Sequence, residues 1–270
     1  MGCNAEPNRL PSYDKTRENH LNTLTHSSLP ALFQRTLHRF GLACAGALAA
    51  FAVTAHASDL DSVVKAVKFD DVSAVKKALA HGVDPNATDA KGMPLIVLAA
   101  REKSDRVAKA LMADPKTDIE KLDGAGENAL MLAALNGDLE LVKALVDKGA
   151  EVNKKGWAPL HYAASNGHDD IVQLLLDHSA YIDAGSPNGT TPLMMAARGN
   201  HLSTVKVLLD GGADSRVKNQ LGLTALDFAK RYHAKDVTHA LQDMYAREAA
   251  AASGAPAASA PSMPAGNSAK

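Results

Sequence analysis

Cysteine is nearly missing from this chain of 270 residues: Cys3 and Cys44 are the only two, and both fall early. A domain with no further cysteine has no disulfide framework to support a small core and no thiolate to act as nucleophile or metal ligand. Charge of either sign is not in excess, with 29 basic against 30 acidic residues. Nucleic-acid binding, which needs a basic face to displace counterions, finds no support in that balance. Aromatic residues make up 4% of the chain, and tryptophan occurs once, as Trp157. Long apolar runs are missing as well, since Phe40 to Val53 falls short of the roughly 20 residues that comfortably span a bilayer.

What is present at the N-terminus reads as a targeting signal. Arg35 and Arg39 precede the apolar run, and Ala55-His56-Ala57 follows it as a small-x-small peptidase pattern. The combination predicts an N-terminal extension and signal peptide over residues 1–57, cleaved after Ala57, with export to the periplasm or beyond the cell. The alternatives are an uncleaved segment that anchors the chain to a membrane and a buried helix in a cytoplasmic protein. Cys44 is a poor lipoprotein cysteine because Gly41 stands where an aliphatic residue is wanted, and Met1-Gly2-Cys3 is a poor acylation start because Glu6 replaces a hydroxyl residue. Residues 1–57 hold 5 basic and 3 acidic groups, which leaves 24 basic and 27 acidic in the remainder, a net charge near −3. At the other end, residues 246–270 are Ala, Pro, Ser and Gly with little to bury, the composition of a disordered tail, although Ala249 to Ala252 can lengthen a preceding helix by a turn.

Between these ends the chain repeats itself. Ala158-Pro159-Leu160-His161-Tyr162-Ala163-Ala164 opens a unit whose leucine position recurs as Val63, Ile96, Leu130, Leu160, Leu193 and Leu226, at steps of 33, 34, 30, 33 and 33. A second landmark runs in register through Gly82-Val83-Asp84, Gly149-Ala150-Glu151, Ser179-Ala180-Tyr181 and Gly212-Ala213-Asp214. Within a unit, Leu139, Val142, Leu145 and Val146, or Ile171, Leu174 and Leu175, recur at helical spacing and make one apolar stripe. Pro159 and Pro192 fit the first position of a helix, and Gly149 and Gly212 fit its end. Two helices of about ten residues cannot bury such a stripe alone, so neighbouring units must complete the core.

These motifs resemble the ankyrin repeat, with its T-P-L-H turn, Ala-Ala helix end and G-A-D-V-N exit. The resemblance covers residues 58–245 and implies an all-α repeat solenoid of about six helix-turn-helix repeats joined by β-turn fingers, with capping units outermost. Combined with the leader, it is similar to a bacterial exported ankyrin protein. It implies a non-enzymatic, monomeric protein-protein interaction module that acts in the periplasm, holds another protein on a concave face, uses no cofactor or metal and does not insert into the membrane after signal cleavage. The alternative is a chaperone-like or structural accessory that stabilises an envelope protein or enzyme.

The chemistry-bearing residues agree with a non-catalytic reading. His168 and His201 fall at equivalent places in successive units, about 8–10 Å apart by helix packing, too far to share a metal ion. Asp70-Asp71 and Asp169-Asp170 point apart on a helix and suit its positive N-terminus rather than acid-base work. Ser165 near His161, and Ser203 near His201, lack an orienting acid and an oxyanion device. By the resemblance, His161 hydrogen-bonds within and between repeat turns, in a network weakened where Ala158 replaces threonine and Met194 replaces histidine.

The resemblance also places the partner-binding face on the finger positions Met93, Glu127, Trp157, Thr190 and Leu223 and on the ends of the first helices. The helix-end positions include Arg101, Glu102, Leu135, Asn136, Ser165, Asn166, Arg198, Arg231 and Tyr232. Aromatic residues and arginine are the common anchors of interfaces. Trp157 lies where the step shortens to 30. Two readings fit it: a shortened finger that opens a binding notch, or a ring folded over the truncated turn to replace lost packing.

Overall fold

In the computed structural model, the described residues are 59–253; the expected signal segment and most of the expected tail lie outside them. Twelve helices follow one another among these residues, in six hairpins. The first helices are α1 (59–68), α3 (Leu95–Glu102), α5 (Ala129–Asn136), α7 (Pro159–Asn166), α9 (Pro192–Arg198) and α11 (Ala225–Arg231). Their partners are α2 (Val72–Ala80), α4 (Asp105–Met112), α6 (Leu139–Asp147), α8 (Asp169–Asp177), α10 (Leu202–Asp210) and α12 (Lys235–Ala252). The first helices α3, α5, α7, α9 and α11 pack in sequence as one layer, and the second helices from α2 to α12 pack in sequence as another.

The two layers differ as their sequences require. Every residue from Ala129 to Ala134 in α5 is buried, because a first helix is covered by a neighbour on each side and by its own partner helix. The Ala-Ala pairs Ala99-Ala100, Ala133-Ala134, Ala163-Ala164 and Ala196-Ala197 are all buried, and their small side chains let these helices approach closely. The second helices are covered on one side only. In α6, Leu141, Val142 and Leu145 are buried while Glu140 and Lys143 stay exposed and pair with each other at 3.2 Å. Five of the six register residues lie in the core, at 2% exposure or less, whereas Leu226 in the last repeat is only partly buried.

The helix ends form where the local chemistry dictates. Pro159 and Pro192 are the first residues of α7 and α9, where a missing N–H costs nothing. Asn128 caps α5 through Met131 N at 3.0 Å, and Thr224 and Asp227 cap each other reciprocally at the start of α11. After α6, Gly149 takes φ +94°, and Ala150 N–H donates back to Leu145 O at 2.9 Å. Ser179 repeats this geometry after α8 at φ +63°, with Ala180 N–H on Leu175 O at 2.9 Å. α12 runs on to Ala252, beyond the array boundary expected at Tyr245. Its alanines are strong helix formers, Tyr245 Oη donates to Ser215 O at 3.0 Å, and Glu248 pairs with Arg216.

Side chains at the repeat exits stitch the units together. Asn86 donates to Lys116 O at 2.7 Å and accepts from Asp118 N at 2.7 Å; Asn153 does the same with Ser179 O and Tyr181 N, both at 2.8 Å. Glu120 accepts from Glu151 N and binds Lys154 at 3.0 Å, and Asp183 accepts from Asp214 N at 3.2 Å, so acidic residues alternate with asparagine in this role.

Candidate functional site

Each long finger closes its tip the same way. Asp89, Asp123, Ser186 and Asn219 accept side-chain hydrogen bonds from Met93 N, Glu127 N, Thr190 N and Leu223 N, at 2.9–3.0 Å. Backbone bonds between the same residue pairs complete the turn. The finger between α6 and α7 has 11 residues against 14 between α8 and α9, and among the described residues it carries no such pair.

The shortening leaves a hollow of about 350 Å³ lined by Glu127, Leu135, Trp157, His161, Tyr162, Ser165 and Met195. Trp157 meets the rings of His161 and Tyr162 edge to face, with centroids 5.3 and 6.4 Å away, yet remains 37% exposed. The indole therefore packs on the start of α7 and also walls an open hollow. Tyr162 Oη donates to Glu127 Oε1 at 2.9 Å across the finger gap. Burial first, then the bond and charge of Glu127, hold the phenol above its ordinary pKa, so Tyr162 remains a neutral donor.

Leu135, Trp157 and Ser165 thus converge on the hollow. Ser165 Oγ turns back to Tyr162 O at 2.9 Å. Asn136 and Asn166, expected on the binding face, spend their amides on the preceding repeat: Asn136 on Ala100 O at 2.9 Å and Asn166 on Leu135 O at 2.8 Å. Arg101 pairs with Glu102 at 3.0 Å, and Arg198 lies 4.9 Å from the centroid of the Tyr232 ring. Met93 and Leu223 are half-buried on other fingers, and Arg231 is exposed at the end of α11. Phe69, 82% exposed, follows α1 at the place that Tyr232 holds after α11. The repeat register, carried back from Tyr232 through Glu102, reaches this position in the first unit.

Three of the histidines hold the repeats together. His161 Nδ1 accepts from Ala158 N at 3.1 Å, so Nε2 carries the proton given to Thr190 O at 3.0 Å, the bond within and between turns that the resemblance implied. His168 Nε2 reaches Leu135 O and His201 Nε2 reaches Ser165 O, each tying its repeat to the one before. Among the described residues, no three His, Cys, Asp or Glu side chains converge in a way that holds a metal ion, and no helix is long and apolar enough to cross a membrane.

One carboxylate, Asp105, departs far from ordinary behaviour, and it belongs to neither of the adjacent pairs in the sequence. Asp105 opens α4, and Asp138 caps α6 through Leu141 N at 3.0 Å. Asp105 Oδ1 and Asp138 Oδ2 are buried with no hydrogen-bond partner. Two carboxylates only accept, so they bond to each other only when one is protonated. Burial, then the bond and charge of Asp138, raise Asp105 to about 6.

Because the folded value exceeds the unfolded 3.8, the native state takes up the proton first, and stability rises as pH falls through about 6 toward 4. His161 acts in the opposite sense. Burial lowers its pKa below the ordinary 6.5, so its contribution is complete above that value and declines as pH falls below it. Asp105→Asn is expected to raise stability at neutral pH by roughly 1 kcal/mol, after discounting for solvent screening, and to add nothing near pH 4. Urea unfolding across this range checks it: the variant loses stability on acidification more steeply than the parent chain. Parallel profiles would show that the pair does not share a proton.

Comparison with known proteins supports the architecture. A family model for "Ankyrin repeats (3 copies)" matches residues 63–151, 96–186 and 179–248. The rat Ankyrin repeat and SAM domain-containing protein 6 is 34% identical over 113 residues, 40% of this chain and 13% of that protein. Mouse Protein phosphatase 1 regulatory subunit 27 is 39% identical over 77 residues, 27% of this chain and 50% of that protein. The human Notch-regulated ankyrin repeat-containing protein is 38% identical over 77 residues, 27% of this chain and 68% of that protein. The chain thus spans a small part of the first relative and half of the second. The matched stretches run across the same hairpins that the structure stacks, and the chain belongs to the ankyrin-repeat family.

Proposed function

We propose that the protein is a non-enzymatic binding module that holds another protein on the face made by its fingers and the ends of its first helices. The observation that carries this reading is where large apolar side chains meet solvent. Six are exposed among the described residues, and five of them, Phe69, Leu122, Trp157, Leu221 and Tyr232, belong to fingers or first-helix ends; Tyr181 alone lies in an exit loop. Leaving such groups in water costs stability that a covering partner returns. A prefolded solenoid also orders little on binding, which keeps the entropic cost of association low. The basic flank, apolar run and Ala55-His56-Ala57 pattern support action in the periplasm after cleavage behind Ala57.

The double variant Trp157→Ala, Tyr232→Ala is expected to lose a captured partner by tenfold or more while helicity and melting stay close to the parent. The check is parallel affinity capture with the mature chain, residues 58–270, and its variant, beside circular dichroism. Undiminished capture by the folded variant would discard this face. The mass of the exported chain tests localisation: a start at Ser58 agrees with cleavage, and a start at Met1 sinks it.

A further inference from the structure

We propose that the hollow beside Trp157 receives a lysine or arginine side chain from the protein partner. This inference rests on the binding face proposed above and specifies the chemistry of one of its contacts.

The lining argues for a long cationic side chain rather than an apolar one. Leu135 and Met195, from first helices on either side of α7, supply apolar surface, and Trp157 and Tyr162 add aromatic rings. Glu127 alone among the lining residues brings a full charge, and it is negative. Tyr162 hydrogen-bonds to one of its oxygens, but among the described residues no cation lies within ion-pair distance of this carboxylate. Two arginines of the same face are already engaged, Arg101 with Glu102 and Arg198 with the Tyr232 ring, and the third, Arg231, stands exposed at the end of α11, outside the lining of the hollow.

A partner that closed the hollow with an aliphatic group would strip water from Glu127 and leave its charge uncompensated, which is costly. A lysine or arginine avoids this. Its stem lies along Leu135 and Met195, while its head meets the carboxylate beside aromatic rings that attract cations. The shortened finger makes the space, and Glu127, on the preceding finger, supplies the charge.

Trp157 is the only tryptophan in the chain, so its fluorescence reports on this hollow directly. The full mature chain would be titrated with four Ser-Gly-X-Gly-Ser peptides, X being lysine, arginine, norleucine or glutamate. Lysine and arginine peptides are expected to change the signal saturably, at least tenfold more tightly than norleucine, with glutamate weakest. Glu127→Gln keeps an acceptor for Tyr162 and is expected to remove most of the preference for lysine over norleucine, in a chain of unchanged helicity.

Norleucine binding as tightly as lysine, or a preference that survives Glu127→Gln, overturns the cationic assignment. Silence of Trp157 toward all four peptides overturns the hollow as a pocket for a side chain. In either case the wider face stands or falls separately, on whether the Trp157→Ala, Tyr232→Ala variant loses its captured partner.

Discussion

Leu130→Ala is expected to destabilise the array by about 3–4 kcal/mol and to broaden its urea transition. Leu130 is 0% exposed in α5, which packs against α3, α6 and α7 at once. Truncation removes three carbons from a site enclosed on all sides, where the cavity collapses little and losses of about 2–5 kcal/mol are usual. That is a large share of the roughly 5–15 kcal/mol that holds a domain folded. A stacked array couples only through neighbouring interfaces, so a weak central unit separates the repeats before it from those behind. Leu226→Ala changes the equivalent residue of the last repeat, which is only partly buried, and is expected to cost about 1–2 kcal/mol with no broadening. Equal losses at the two positions would mean that stacking does not govern stability here.

Gly167→Ala is the second large effect, expected at about 2–3 kcal/mol. Gly167 joins α7 to α8 at φ +77°, a conformation that costs an alanine about 1 kcal/mol. A Cβ there also falls 2.6 Å from His201 Nδ1, so the ring must move and release its bond to Ser165 O. Breaking that tie between repeats adds about 1 kcal/mol. Gly149→Ala is the control, because its φ of +94° carries the same backbone strain with open space around the Cβ. It is expected to cost only about 1 kcal/mol. Melting temperatures of the two variants separate strain from collision. Matching losses would show that His201 moves aside freely and that its bond contributes little.

Much of this architecture was legible in the spacing of a few residue types. Pro159 and Pro192 begin helices, and Gly149 follows the end of one, because each acts on its own backbone and needs no distant partner. His161 was legible by resemblance, with the bond to Thr190 that holds one finger to the next. The pair Asp105 and Asp138 was not, because the two stand one repeat apart in sequence and meet only when the units stack. Asn136 and Asn166 fall on the binding face by register, yet their amides bond to carbonyls of the previous unit.

The division follows the range of the forces involved. Repeat period, helix bounds and the inner stripe depend on neighbours within about ten residues, and the order of amino acids settles them through sterics, capping and apolar periodicity. Contacts between repeats run diagonally between residues that are not equivalent, as Tyr162 meets Glu127 and Asn136 meets Ala100. Counting along the chain identifies equivalent positions but not the offset at which one unit lies on the next. That offset is the balance of an entire packed interface. It decided where the hollow opened beside the short finger, which carboxylates met and which polar groups remained for a partner.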